Sequence, residues 1–383
     1  MSFKLILKPI VNLLLKKRYY YQKVSNRSQS IFDVMSVHSS RKAAEDYHAF
    51  FETLANQFNK KQFAYFYSVL DEGQLLQTIT GGLDFSKKKE KKFHKDFRYC
   101  VIHKLHDMFH VKGEVQLISV HVDPSGYSAS AVIRCDNFGE TYRYFVLFAN
   151  KNNRIRLVDW HIMWYGFRMS EKCRLFYQEE NILPGTGGVG LKALAEFIEK
   201  EDFPRIEESY GYLPKEVFQY RSIMCDLLVL AAKYSRHTFV ERLLNDLEEI
   251  YPNEPYYRLS ILWYFLEHEG IESVLQIIDD FAGWYQLKDA GIWHMKALQC
   301  KEAGYMEQAL YYAKEALKVD ASFKSALFMQ ADLCNQLEKY QDLVRIIEQL
   351  RDDFGVRIST ERFPEYQAFH QSREYQEWKA KQK

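Results

Sequence analysis

The sequence is poor in the features that mark specialised protein classes. Its six cysteines (Cys100, Cys135, Cys173, Cys225, Cys300, Cys334) include no CxxC pair and no framework spacing. That excludes a disulfide-stapled scaffold and a zinc ribbon, and fits thiols used as small buried hydrophobes in a reducing compartment. No uninterrupted apolar stretch approaches the roughly 20 residues needed to span a bilayer. The longest candidate, residues 5–15, is broken by Lys8, Pro9 and Asn12, and no small-residue cleavage site follows, so no secretory signal is expected. Charge of one sign is also missing. A formal net charge of +1 over 383 residues argues against a general nucleic-acid binder.

What is present is ample material for more than one core. The apolar fraction is 47%, with 27 Tyr and 27 Phe, in a chain long enough for two ordinary domains. The near-neutral total hides an asymmetry. Lys4, Lys8, Lys16, Lys17, Arg18, Lys23 and Arg27 precede the first acid, Asp33, so residues 1–32 carry +7 and the remainder −6.

Self-similarity dominates the C-terminal half. An offset of 34 links Trp293 to Leu327, Ala297 to Ala331, Ala309 to Leu343, Ala316 to Leu350 and Gly270 to Gly304. Small residues recur because two antiparallel helices in a hairpin can approach closely only where the side chains at the crossing are small. The unit 290–323 is the best defined, with Trp293 in the first helix, Ala297 in a small-residue slot, Gly304-Tyr305 at the turn, and Ala309, Ala313 and Ala316 along the second helix. This segment resembles the tetratricopeptide family, whose period is about 34 residues. A following unit starts near Lys324, a weaker one near Arg221 with Pro252 at its end, and a looser one spans 255–286. Ala321 replaces the usual proline, and Lys296 stands where an apolar residue is usual.

The resemblance implies a helical-repeat solenoid with a groove for a protein or peptide partner. The clamp for acidic C-terminal tails is absent, since the corresponding faces offer Cys225, Val229, His294 and Leu298. Candidate groove residues are Tyr257, Trp263, Tyr264, His294 and Leu298, with hairpin core as the competing reading for each aromatic. A polar helix to the C-terminus would cap the last repeat.

In the N-terminal half, Ala44, Tyr47, Phe51, Leu54 and Phe58 fall at helical spacing, as do Phe93, Phe97, Val101, Leu105 and Met108. The period then changes to two. Segments 115–121, 129–134, 142–148 and 155–160 read as strands separated by turn signals at Asp123-Pro124-Ser125-Gly126, Asp136-Asn137 and residues 150–153. Helices followed by an antiparallel meander predict an α+β domain. The hairpin 141–148 followed by Arg154-Ile155-Arg156-Leu157-Val158-Asp159-Trp160 resembles the last two strands of the NTF2-like superfamily. That resemblance implies a curved sheet around helices, enclosing a cavity that serves in different members as a catalytic site, a ligand pocket or an interaction surface.

Three motifs invite chemistry. His103, His106, Asp107 and His110 share helical i,i+3 and i,i+4 spacings, but no outside ligand is identifiable and no metal site is expected. Residues 185–190 match GxGxxG, yet no strand precedes them and Pro184 does, so they read as a linker and no cofactor is expected. His121, Asp159 and His161 lie on predicted strands as cavity candidates, and alternation places Asp159 and His161 on one face opposite Trp160.

In residues 1–16 the polar positions Lys4, Lys8, Asn12 and Lys16 form one stripe on a helix. With Lys17, Arg18 and three tyrosines following, this segment suits an anionic membrane surface or a docking face on its own protein. The expected organisation is a basic segment (1–35), an NTF2-like α+β domain (40–180), a Gly-rich linker (181–190), helical repeats (191–352) and a polar capping helix (353–383). The expected function is that of a non-enzymatic, cytoplasmic adaptor gripping a protein partner, with a peripheral membrane tether. The alternative is a small-molecule binder or enzyme using the α+β cavity.

Overall fold

A computed structural model describes residues 40–81, 114–136, 142–163, 166–171, 173–174, 197, 200, 202–211, 221–252, 254 and 256–381. The expectations for the basic segment, for the helix over 92–110 and for the Gly-rich linker lie outside these residues.

The N-terminal part is α+β. Helices α1 (Ser40–Asn59), α2 (Phe63–Val69) and α3 (Glu72–Thr80) precede an antiparallel sheet of β1 (Val115–Val122), β2 (Ser128–Asp136), β3 (Tyr142–Lys151), β4 (Ile155–Ile162) and the two-residue β5 (Phe167–Arg168). Strand order follows chain order, a meander. The apolar stripe of α1 explains its seat: Tyr47, Phe51, Leu54 and Phe58 are buried against Ala131, Ile133, Phe145, Leu147, Leu157 and Trp160 of the sheet. Asn59 fastens the helix end to β1, donating Nδ2–H to the Val115 carbonyl (2.8 Å) and accepting from the Val115 amide (2.6 Å). A register irregularity between Phe148 and Ala149 lets both Leu157 and Trp160 face the helices, which strict alternation would forbid.

The C-terminal part is four helical hairpins. Their helices are α5 (Arg221–Lys233) with α6 (His237–Ile250), α7 (Tyr256–Leu259) and α8 (Leu262–His268) with α9 (Ile271–Trp284), α10 (Ala290–Glu302) with α11 (Met306–Val319), and α12 (Lys324–Gln336) with α13 (Tyr340–Phe354). A short helix, α4 (Phe203–Gly211), packs before them, with Phe203 and Tyr210 edge-on to Phe239. The repeat is written in the backbone as well as in the side chains. Left-handed residues recur at Gly270 (φ 87°), Gly304 (φ 82°) and Glu338 (φ 55°), each closing the turn between the two helices of a hairpin. In hairpin 1 the equivalent residue is Ser235 (φ 51°).

Lys296, the charge in an apolar slot, is buried, with its ammonium 2.6 Å from Asp279 and over the rings of Trp293 (5.1 Å) and Tyr312 (5.5 Å). Paired and stacked, it fills that slot without an unmet charge. After α13, the short helices α14 (Gln367–Gln371) and α15 (Arg373–Lys381) cover hairpin 4, with Phe369 and Tyr375 buried and Phe369 tilted on Tyr340.

Candidate functional site

Residues of the sheet's outer face, turned away from α1, meet the hairpins along one rim. That rim is made of the N-terminal ends of each hairpin's first helix and the C-terminal ends of the second helices. The backbone carbonyl of Gly166 accepts from Arg221 of hairpin 1 (2.9 Å), and Gly166 lies so close to the Tyr256 ring of hairpin 2 that no Cβ would fit. On β4, His161 Nε2 is 3.1 Å from the Tyr285 hydroxyl after α9. On β3, Tyr144 packs edge-on against Phe281 and donates its hydroxyl hydrogen to Asp289 at the start of hairpin 3 (2.6 Å). The far end of the sheet reaches hairpin 4, where Ser325 donates to Asp136 (2.7 Å) and Lys324 pairs with Glu114 (2.7 Å). Strand order and hairpin order therefore run in opposite senses, from the β4–β5 turn at hairpin 1 to β1 and β2 at hairpin 4, and one sheet touches all four repeats.

Arg134 and Asp289 hold the centre. Arg134 is 2% exposed in a strand whose last six residues are all buried. Its guanidinium pairs with Asp289, donates to Gln116 and lies 4.3 Å over the Phe323 ring. Asp289 is also the N-cap of α10, accepting from the Gly291 amide (3.0 Å), so one carboxylate serves helix, arginine and tyrosine. Gly291 is required by close approach, because a Cβ there would stand 2.7 Å from the Asp289 carboxylate and 2.8 Å from Arg134 Cδ. His294, one turn along α10, is buried with Nε2 3.1 Å from the Ser325 carbonyl, and burial lowers its pKa to about 3. Burial lowers His161 to about 3 as well, with the charges of Arg168 and Arg221 adding to the effect.

The groove candidates divide. Tyr257 is hairpin core, its hydroxyl donating to Glu248. Tyr264 is buried and stacked on His268 at 4.2 Å. His294 is buried at the rim, and Leu298 is half-buried beside the core. Trp263 turns its ring to solvent, 43% exposed. The cavity candidates also separate. Asp159 and His161 do share the face opposite Trp160, but that face meets the hairpins. Asp159 is buried there, accepts from the Ser170 hydroxyl (2.6 Å) and is raised in pKa chiefly by burial. His121 is exposed on β1. The face towards the helices is filled by Tyr47, Phe51, Phe58, Phe66 and Trp160. The membrane candidates Lys4, Lys8, Lys16, Lys17 and Arg18 lie outside the described residues, among which no helix is long and apolar enough to cross a membrane.

Sequence reasoning missed the network of Gln116, Arg134, Asp136, Tyr144, Asp289 and Ser325. One signal was present: Asp289 ahead of Ala290-Gly291 is an N-cap pattern.

No family model matches the chain, and no curated protein matches it. A solved structure from work on Pseudomonas aeruginosa pilF is similar over 50% of this chain and 96% of its own, at 11% identity and a TM-score of 0.29. A likeness of that degree is too slight to bear on how this chain works.

Proposed function

We propose that the protein is a non-enzymatic adaptor whose helical hairpins hold a protein partner on surfaces the sheet leaves open. The observation that carries this reading is the sheet's contact with all four hairpins along one rim. Bracing of that kind fixes the repeats relative to one another and preorganises the remaining surface, which lowers the ordering cost of binding. The α+β part is, in this proposal, an NTF2-like module used as a brace. Two facts speak against a catalytic or ligand-binding use of it: its helix-facing side is packed with aromatic rings, and Asp159 and His161 are engaged on the other side. Residues 1–23 are assigned the role of a tether to an anionic membrane surface from the cytoplasmic side, on their charge and stripe pattern alone.

The bait for testing this is the full chain, because severing the hairpins from the sheet would strand Asp289 and Arg134. Affinity capture with cross-linking is expected to return a protein partner joined to the open side of the hairpins. Recovery of no protein by the full chain, together with a small molecule retained by the purified full chain, would overturn the reading in favour of a ligand binder.

A further inference from the structure

Hairpin 2 departs from its neighbours at one slot. Where hairpins 3 and 4 place the buried Ala297 and Ala331, it has Trp263, and its first helix is interrupted between Leu259 and Leu262. An indole cannot occupy a slot where two helices cross closely, so the helix breaks and the ring goes to solvent. Behind it Tyr264 stacks on His268 at 4.2 Å, and His268 lies 4.5 Å from His237 of hairpin 1. Tyr264 orders both imidazoles: its carbonyl accepts from His268 Nδ1 (2.8 Å), and its hydroxyl is 3.1 Å from His237 Nδ1. The result is an aromatic surface at the turn end of hairpins 1 and 2. The sheet covers the opposite end, where Arg221 and Tyr256 meet Gly166.

Carboxylates gather around this surface, while the neighbouring Arg236 is turned away to Glu207 (3.6 Å) and the Phe203 ring. Glu241, Glu269 and Glu267 all act on the Tyr264 phenol, and their side chains are exposed. Glu267 lies four residues after Trp263 on the same helix face. An exposed indole with carboxylates beside it suits an ammonium or guanidinium, held over the ring face and paired at its edge. The two histidines alone do not make a metal centre, since no group of three or more potential ligands occurs among the described residues.

Resting on the adaptor reading, we propose that Trp263, with Glu241, Glu267 and Glu269, forms the docking surface for a lysine- and arginine-rich segment of a partner protein. The test is fluorescence anisotropy of a fluorescein-labelled peptide of Arg-Leu-Lys units titrated with the full chain in the presence of EDTA. A second peptide has Glu in place of every Arg and Lys. Saturable binding of the basic peptide only is expected, weakened about five-fold by Trp263→Leu, which keeps apolar bulk but removes the ring, and restored by Trp263→Phe. The double change Glu267→Gln with Glu269→Gln is expected to weaken it and flatten its salt dependence, whereas Asp353→Asn, an exposed charge in the last turn of hairpin 4, leaves it unchanged. Equal binding by W263L and D353N would overturn the proposal, as would equal binding of the two peptides. If the partner captured by the full chain is held as well by W263L as by the native protein, the adaptor reading stands and this site falls.

Discussion

The two faces of the sheet are held by different physics. The face towards α1 is almost wholly apolar, and its stability comes from area removed from water and from close packing around Trp160, whose ring stands edge-on to Phe66 at 5.5 Å. The face towards the hairpins mixes apolar contact with a buried ion pair, a tyrosine hydroxyl and an N-cap that share one carboxylate. An apolar face tolerates exchange among residues of similar volume. A shared polar network tolerates loss of none of its members singly. The first face makes a domain, and the second makes two domains into one unit.

That contrast predicts the largest effect on the inner face. Trp160→Ala removes the largest of the fully buried side chains and leaves a cavity among rings that cannot collapse into it, costing about 3–5 kcal/mol in denaturant unfolding. The fold of the hairpins themselves should survive, so far-ultraviolet circular dichroism keeps most of its helical signal. Loss of all helicity would mean that the inner core, and not the shared network, couples the two parts.

On the outer face, Asp289→Ala strands Arg134 and removes the cap of α10, with an expected cost of about 3–4 kcal/mol. Arg134→Met alone leaves a buried carboxylate that still receives the Tyr144 hydroxyl and the Gly291 amide, so it should cost less. In the double variant, Arg134→Met with Asp289→Asn, the buried charges are gone and roughly 1–3 kcal/mol of the single losses should return as coupling energy. Additive losses in this cycle would show that the pair is incidental to the interface.

The same contrast explains what could be read from the letters. Periodicity reports which residues avoid water, so the helical stripe of Tyr47, Phe51 and Phe58, the four strands and the hairpin repeat were all legible. So was the shared face of Asp159 and His161. Periodicity does not report what a face meets. Whether that face looks into a cavity or onto another domain depends on contacts between residues as far apart as Arg134 and Asp289, which no local pattern encodes. Trp263 is the converse case. The sequence offers it both as a groove candidate and as hairpin core, and the helix break after Leu259 shows it to be surface.

Titration offers the mildest way to separate the two faces, because His161 lies on the outer one and His294 on the hairpin rim that meets it. Each has a folded-state pKa lowered by burial to about 3, against about 6.5 for an unfolded histidine. Between those values the unfolded chain binds protons that the folded chain refuses, so stability is fully present above about pH 6.5 and declines as pH falls. Lowering the pH from 7.5 to 5.5 should therefore cost about 1 kcal/mol per histidine, read as a shift in the urea midpoint. His294→Gln keeps a donor for the Ser325 carbonyl without a titrating ring, and should remove its own share of about 1 kcal/mol from that pH dependence while lowering stability at neutral pH by less than Asp289→Ala does. A pH dependence unchanged in this variant would place the proton-linked instability elsewhere than at the rim.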